Sequence, residues 1–332
     1  MKIDINHVPC VSGYELVEIL YQGRKTEVYR AIRTADSQAV VVKLLRLEYP
    51  TFNELLQFRN QYTIAKNLDL PGIVKPLALE NYRNGYALVM EDFGGVSLKQ
   101  VMANRDGMGK SANSLREFLN IAIQIAQTLE GLARNRIIHK DIKPDNILIH
   151  PENGQVKLVV FSIASLLPRE NQEIVNPNVL EGTLVYMSPE QTGRMNRGID
   201  YRTDFYSLGV TFYELLTGQL PFQSTDPIEL VHFHIARIPT PPIELVPAIP
   251  QMVSDIVMKL MAKTAQDRYQ SSFGLRVDLE TCLQDYLENG NISSFSLGEK
   301  DICDRFVIPE KLYGREAEVA TLLAAFDRVA LS

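Results

Sequence analysis

The chain has 332 residues, of which 45% are hydrophobic and 22% are charged, and it carries a formal net charge of −6. This composition is typical of a soluble globular protein, and an acidic chain without a long basic run argues against nucleic-acid binding as its main function. No apolar run approaches the roughly 20 residues that span a bilayer. The sequence begins without the apolar core of a signal peptide, and its three cysteines, Cys10, Cys282 and Cys303, lack metal-ligand spacing. We therefore expect a cytoplasmic protein of two lobes and a tail, with neither nucleic acid nor membrane as a partner.

Residues 14–91 predict a small β-rich lobe that follows an N-terminal extension, 1–13. Alternating or continuous apolar patterns predict five strands, at 14–20, 27–33, 38–45, 73–80 and 86–91. Asn84-Gly85, between the last two strands, is a strong hairpin signal. Residues 52–68 have the apolar spacing of a helix, so the lobe combines five strands with one helix.

From about residue 97 the pattern changes to that of helices, and it continues to about residue 287. Apolar side chains spaced along 115–132 mark one buried helix face. Residues 204–217 are apolar nearly all round and are followed by Gly218, which predicts a buried central helix ending at a glycine cap. Residues 288–311 are polar and contain serine, glycine and asparagine, which predicts a linker.

Residues 137–149, Ile-Ile-His-Lys-Asp-Ile-Lys-Pro-Asp-Asn-Ile-Leu-Ile, resemble the catalytic loop of a eukaryotic-type protein kinase. Further motifs of that family occur in its order along the chain, at Val40–Lys43, Leu88–Phe93, Gly182-Thr183, Ser188–Glu190, Asp204–Gly209 and Asp267–Tyr269. The chain therefore resembles a bacterial serine/threonine protein kinase of this type over about 14–287. The resemblance implies an α+β, bilobal protein-kinase fold with a β-rich N-lobe, 14–91, and a larger helical C-lobe, 92–287.

Residues 182–218 resemble one subgroup more closely, the N-terminal kinase-like domain of large cyanobacterial signalling proteins. In these proteins a STAND-type ATPase module, GAF sensors and a histidine kinase follow. Residues 312–332, which begin Leu-Tyr-Gly-Arg-Glu, look like the start of that ATPase module. The resemblance implies that the partners are downstream domains of the same polypeptide, together with proteins that the sequence does not identify.

The resemblance also assigns roles to the catalytic loop. Asp141 would accept the substrate hydroxyl proton, Lys143 would steady the transferring phosphoryl group, and Asn146 would hold a metal ion. The alternative is a loop in which Asp141 and Asn146 only stabilise the fold, because such side chains also bond backbone groups. His139 is predicted to be a packed core histidine rather than an acid or base. The implied nucleotide-binding positions are Lys43, Gly23, Val28, Val41, Met90, Glu91, Phe93 and Leu148.

Several positions depart from the family pattern. Val160 stands where a magnesium-binding aspartate is expected, and Mg²⁺ takes oxygen ligands that valine lacks. Gln61 stands where a glutamate would pair with the strand lysine; Glu54, two turns earlier, is expected to lie out of reach of that lysine. Two of three positions in the glycine-rich loop are Tyr21 and Thr26, whose side chains restrict the approach of backbone amides to phosphates.

These losses favour a pseudokinase, a kinase fold that serves as a regulatory or docking module, with weak ATP binding and doubtful Mg²⁺ binding. The alternative is a low-activity kinase whose metal is held by Asn146 alone or with Asp145. A third possibility is a scaffold without a nucleotide pocket, if Val41, Tyr21 and Val160 fill the cleft.

Two contacts outside the cleft are also predicted. Asp204 is expected to cap its own helix and to reach the backbone near His139. Glu190 and Arg268 are expected to form a buried ion pair that ties the end of the activation segment to the late helices.

Overall fold

The computed structural model describes residues 9–23, 25–103, 112–159, 161, 163–165, 184–194 and 198–302. Five strands form the N-terminal lobe: β1 (Tyr14–Gln22), β2 (Thr26–Arg33), β3 (Gln38–Leu45), β4 (Pro76–Tyr82) and β5 (Gly85–Glu91). They form one antiparallel sheet in the order β1-β2-β3-β5-β4. Helix α1 (Phe52–Ala65) follows β3. The predicted five strands and one helix are confirmed.

The C-terminal lobe is mainly helical. Its helices are α2 (Leu98–Ala103), α3 (Ala112–Arg134), α4 (Arg202–Thr217), α5 (Pro227–Ala236), α6 (Pro242–Leu245), α7 (Gln251–Leu260) and α8 (Ser272–Asn289). A three-stranded sheet of β6 (Val96–Ser97), β7 (Ile147–Ile149) and β8 (Val156–Leu158) lies beside the predicted catalytic loop. The predicted α+β, bilobal kinase architecture is therefore confirmed. Among the described helices, none combines the length and the apolar character needed to cross a membrane.

Local sequence explains where the main helices start and stop. Thr51 and Glu54 form a capping box at the start of α1, since each side chain accepts a hydrogen bond from the other's backbone N–H. Gly218 ends α4 in the left-handed conformation, with a φ of 76°, as predicted. Every residue from Arg202 to Leu216 is buried. Helix α4 is consequently the central helix around which α3, α6 and α7 pack.

The first residues after α8, up to Asp301, pack against the C-lobe. Ile292 is buried, Gly298 N donates to Asp278 Oδ2 over 2.8 Å, and Asp301 bonds the residues that precede α8. The first part of the predicted linker therefore packs against helix α8. The remainder, 303–311, and the predicted start of a further domain, 312–332, lie outside the described residues.

Candidate functional site

The predicted catalytic loop holds its three polar residues in direct contact. Asp141 Oδ1 accepts a hydrogen bond from Lys143 Nζ over 2.9 Å, and Asp141 Oδ2 accepts one from Asn146 Nδ2 over 2.7 Å. Asn146 Nδ2 also donates to the backbone carbonyl of Asp141 over 2.8 Å. Asp141 and Asn146 are both buried. The structure thus brings together the carboxylate, the ammonium and the amide that the sequence assigned to catalysis, while their roles stay predictions.

A buried histidine and an aspartate from α4 hold this loop in place. His139 Nδ1 accepts from Asp141 N over 3.3 Å, so its Nε2 carries the hydrogen that faces Val159 O at 3.2 Å. Burial lowers the pKa of His139 to about 4, so the ring is neutral. Asp204 accepts from the N–H groups of His139 and Lys140 over 2.8 and 2.7 Å. His139 is therefore a packed structural residue.

The predicted contact from Asp204 to the loop is confirmed, but its predicted capping role is wrong. Helix α4 begins at Arg202 and its N-cap residue is Tyr201, which makes no side-chain cap. Asp204 lies inside the first turn, where both carboxylate oxygens turn toward the loop instead of toward the helix's own N–H groups. The bonds to the loop also explain the left-handed backbone of Lys140, whose φ is 64°.

Lys43 lies on β3 as predicted, with a neutral partner. Its Nζ donates to Gln61 Oε1 over 3.0 Å and lies 5.8 Å from the centre of the Phe58 ring. Both Lys43 and Gln61 are buried. Burial lowers the pKa of Lys43 to about 8, opposed by the charge of Asp141. Glu54 instead caps α1 and lies 3.7 Å from Lys25. Among the described residues, no carboxylate lies within ion-pair distance of Lys43.

The predicted glycine-rich loop is a tight connection between β1 and β2. Gly23 N donates to Thr26 O over 2.9 Å, and Tyr21 pairs with Val28 in the register of the two strands. A Cβ on Gly23 would lie 2.6 Å from the Tyr21 hydroxyl, so the tyrosine side chain folds back over the turn. Val28 also pairs with Lys43 across β2 and β3, which places it beside the lysine.

Three of the predicted nucleotide-binding positions, Val41, Met90 and Leu148, lie around the junction of the two lobes. Val41 on β3 is buried and pairs with Met90 on β5. Leu148 on β7 pairs with Lys157 on β8, and a Cβ on Gly95 would lie 3.1 Å from the Cβ of Leu148. Val41 and Leu148 therefore belong to the two sheets on either side of this junction.

Lys157 is a residue of this junction that the sequence reasoning missed. Its Nζ lies 2.5 Å from Glu91 Oε1 and 4.9 Å from the centre of the Phe93 ring. Glu91 also accepts from Lys75 N over 3.0 Å. Two predicted nucleotide positions, Glu91 and Phe93, are thus held by a lysine 64 or more residues further along the chain, and no local pattern signals such a contact.

A magnesium ion, which the resemblance implies, finds few oxygen donors here. Asn146 turns its Nδ2 toward Asp141, which leaves only its Oδ1 for a metal. Both Asp141 oxygens already accept hydrogen bonds, and Asp145 is exposed. Val160 lies outside the described residues, but its side chain contains no donor atom. In the described part of the chain, no three His, Cys, Asp or Glu side chains cluster as metal ligands.

The end of the predicted activation segment is anchored in the C-lobe. Arg268 donates to both Glu190 oxygens, over 2.6 and 2.8 Å, and Thr203 Oγ1 donates to Glu190 Oε1 over 2.8 Å. Arg268 and Glu190 are 1% and 5% exposed, so the predicted buried pair is confirmed. Burial acts to raise the pKa of Glu190, but the charge and hydrogen bonds of Arg268, together with the bond from Thr203, keep that pKa below its usual value. The Gly182-Thr183 motif lies outside the described residues.

A second link between this segment and the catalytic loop was not predicted. Gln191 Oε1 accepts from Ser188 N over 3.0 Å, and Gln191 Nε2 donates to the carbonyl of Lys140 over 3.0 Å. Ser188-x-x-Gln191 is a capping-box pattern. That spacing could have predicted the bond between Ser188 and Gln191, but not the bond from Gln191 to Lys140.

Comparison with known proteins gives one family for this arrangement. The model of the protein kinase domain matches residues 14–278. A probable serine/threonine-protein kinase from Clostridium perfringens is 33% identical over 297 residues, which cover 89% of this chain and 42% of that protein. The serine/threonine-protein kinase PrkC of Bacillus subtilis is 32% identical over 275 residues, covering 82% of this chain and 41% of that protein.

A relative of a different kind also matches. The hybrid signal transduction histidine kinase G of Dictyostelium discoideum is 32% identical over 302 residues, which cover 65% of this chain and 9% of that protein. The chain thus spans less than half the length of each of these three relatives.

Proposed function

The chain belongs to the protein kinase family, and we propose that it is a pseudokinase, a kinase-fold module that regulates through contacts rather than through phosphoryl transfer. The observation that carries this proposal is the neutral Gln61 at 3.0 Å from the buried Lys43 ammonium. An active kinase needs this lysine in an ion pair with a glutamate and needs an aspartate on the metal. Gln61 and Val160 replace both carboxylates.

The cleft supports binding of a nucleotide more than its turnover. Lys43 offers a buried cation whose charge no neighbouring carboxylate in the described residues neutralises, which favours an anionic phosphate group. Among the described residues of the cleft, a metal ion is offered only the Asn146 Oδ1 and an exposed Asp145. We therefore infer weak ATP binding that depends little on Mg²⁺.

We also propose that the module passes its output to other domains of the same polypeptide. A relative named as a hybrid signal transduction histidine kinase matches over only 9% of its length. A kinase-fold domain can thus be one part of a much longer signalling protein. The cyanobacterial architecture suggested by 182–218 would be one such protein.

A low-activity serine/threonine kinase is the second candidate, and the intact catalytic loop favours it. Asp141, Lys143 and Asn146 keep direct contacts at 2.7 to 2.9 Å. The named bacterial relatives are serine/threonine-protein kinases. Catalysis through Asp141 with a poorly held metal would fit this geometry.

A titration with ATP, with and without Mg²⁺, separates the candidates. The pseudokinase proposal expects binding that Mg²⁺ changes little and no transfer to a protein substrate. Val160→Asp together with Gln61→Glu should restore metal-dependent binding, because the pair returns both missing carboxylates. Magnesium-dependent transfer by the unmodified chain, abolished by Asp141→Asn, would instead establish the low-activity kinase. No nucleotide binding in either condition would support a scaffold without a nucleotide pocket.

A further inference from the structure

Residues 297–301, here called the terminal strap, follow α8 and fold back onto its first turn. Asp301 Oδ1 accepts from Ser271 N and from Ser271 Oγ, each over 2.8 Å, and Asp301 Oδ2 accepts from Gln270 N over 2.7 Å. Ser271 is the N-cap residue of α8. The carboxylate thus lies at the positive end of the helix dipole, where negative charge is stabilising. One aspartate satisfies two backbone N–H groups and a hydroxyl.

The chain is shaped to let the strap approach closely. A Cβ on Gly274 would lie 2.6 Å from the Asp301 Cα, a distance that atoms do not tolerate. Gly298 adopts a left-handed φ of 78°, and its N–H donates to Asp278 Oδ2 over 2.8 Å. The same oxygen accepts from Tyr269 Oη over 2.6 Å. Strap and Tyr269 are therefore held by one shared carboxylate.

The four residues 268–271 have a second set of contacts on their other side. Arg268 holds Glu190, as described above, and also donates to the carbonyl of Arg202 over 2.9 Å. Gln270 Oε1 accepts from Arg202 Nη1 over 2.8 Å, and Gln270 O accepts from Tyr201 Oη over 2.7 Å. The segment 268–271 thus lies between the terminal strap and the Glu190 anchor, and it contacts both directly.

We propose that the terminal strap couples the chain beyond Asp301 to the end of the activation segment. A displacement of Asp301 releases the backbone N–H groups of 270 and 271. That release frees Gln270 from Arg202 and loosens Arg268 on Glu190. The contacts that form this coupling do not involve nucleotide. Only the interpretation that the coupling is regulatory rests on the proposed function.

Such coupling is reciprocal, because a site that biases the conformation of another is biased by it to the same extent. A force on the strap from a following domain would change the order of the activation segment. Occupation of the activation segment by a partner would, in turn, change how firmly the strap is held. In this way, a domain that performs no phosphoryl transfer would still communicate along its own chain.

Hydrogen exchange on the full chain without nucleotide tests the proposal. Asp301→Ala should speed exchange at the distant amides of Gln191 and Gly193 by about tenfold or more, because opening of the anchor becomes easier. The control is Asp285→Ala. The Asp285 carboxylate also accepts a hydrogen bond from a residue after α8, from the backbone N–H of Ser293, but Asp285 contacts none of 268–271. The control should change exchange only near 286–293.

Two further variants keep the test decisive. Asp301→Asn retains the size of the side chain and should show a smaller change at the same distant amides, even if the alanine variant unfolds. Glu190→Gln should speed exchange at the Asp301 amide, which donates to Gly298 O over 3.0 Å. Changes confined to 270–275 in both Asp301 variants would overturn the coupling. The ATP titration is independent of this outcome, so failure of the pseudokinase proposal and failure of the coupling are separately visible.

Discussion

The two sides of the cleft differ in how completely they keep the polar contacts of a kinase. On the C-lobe side, Asp141, Lys143 and Asn146 contact one another, and the Glu190–Arg268 pair is buried. On the N-lobe side, Lys43 faces a glutamine and the turn at Gly23 is covered by a tyrosine. The C-lobe contacts are also structural, because they join the loop, α4 and the activation segment. On the N-lobe side, the bond from Lys43 to Gln61 joins β3 to α1 within the same lobe.

This difference teaches which parts of the site a fold can lose. Replacing a glutamate by Gln61 keeps a hydrogen bond to Lys43 and leaves the β-sheet intact. Removing Arg268 would instead leave the buried Glu190 carboxylate without its ion-pair partner. Under the pseudokinase proposal, a neutral partner for Lys43 leaves the sheet in place but leaves a buried ammonium without a carboxylate, whereas loss of a C-lobe anchor would break the contacts between the loop, α4 and the activation segment.

The largest expected effect follows from breaking the buried pair. Arg268→Ala should lower the free energy of unfolding by about 3–5 kcal/mol, because Glu190 would remain buried without its partner. Arg134→Ala is the matched control, since Arg134 is exposed and pairs with Glu130 one turn away on the same helix. The control should cost no more than about 1 kcal/mol. Chemical denaturation measures both values, and similar losses in the two variants would contradict the anchoring role.

The N-lobe lysine gives the next largest effect on stability, and the size of that effect depends on pH. The pKa of Lys43 is lowered to about 8 in the fold, whereas a lysine in an unfolded chain has a pKa of about 10.4. Below pH 8 both states are charged and the fold bears the cost of a buried ammonium. Between pH 8 and about 10.4 the unfolded state binds more protons, so stability rises with pH.

Lys43→Met isolates this contribution. The stability advantage of the methionine variant over the wild type should shrink by roughly 3 kcal/mol between pH 8 and 10.4, because the wild type loses its buried charge. Denaturation curves at several pH values measure the difference. Gln61→Glu should move this window to higher pH by giving Lys43 a carboxylate partner. A difference that stays constant across this range would show that Lys43 does not titrate there.

Much of the fold was predictable because its signals are local. Strand β3 and helix α1 start where the apolar patterns predicted them, at Gln38 and Phe52, and the glycine after α4 ends it as expected. Gln61 was placed opposite Lys43 by counting along the resembling sequence. Apolar periodicity, helix caps and motif spacing each depend on residues that are close together in the sequence, so they can be recognised from the sequence alone.

The contacts that were missed join residues far apart in the chain. Lys157 with Glu91 and Asp301 with Ser271 depend on how whole elements pack. For Asp204, the contact with the loop was predicted correctly and the capping role was not, because the direction of its side chain also depends on tertiary packing. Its position in the first turn is typical of a capping residue, but the tertiary fold directs its oxygens to the loop at His139. The polar segment 288–311 was predicted to be a linker, but its first part, including the terminal strap, packs against the C-lobe.

Asp204 provides a test of intermediate size on the C-lobe side. Asp204→Ala should lower the free energy of unfolding by about 1–3 kcal/mol, because the buried N–H groups of His139 and Lys140 lose their acceptor. Asp255→Ala is the control, since within the described residues its carboxylate accepts a single hydrogen bond, from the exposed Gln251 over 2.8 Å. Thermal unfolding compares the two. If the two variants have the same melting temperature, Asp204 does not fix the loop.

The smallest effect is expected at the start of α1, on the N-lobe side. Thr51→Ala removes the side-chain cap and should cost about 1 kcal/mol of unfolding free energy. Thr281→Ala is the control, because Thr281 Oγ1 donates to the carbonyl of Val277 within its own helix and to no other group in the part of the chain that the structure describes. That loss should stay within about 0.5 kcal/mol. Gln61 lies almost three turns from Thr51, so the Lys43 contact should survive and ATP affinity should not change. A fall in ATP affinity with Thr51→Ala would mean that α1 moves as a whole. The glutamine side of the cleft would then be as tightly coupled to the fold as the C-lobe anchors, and the contrast between the two sides would fail.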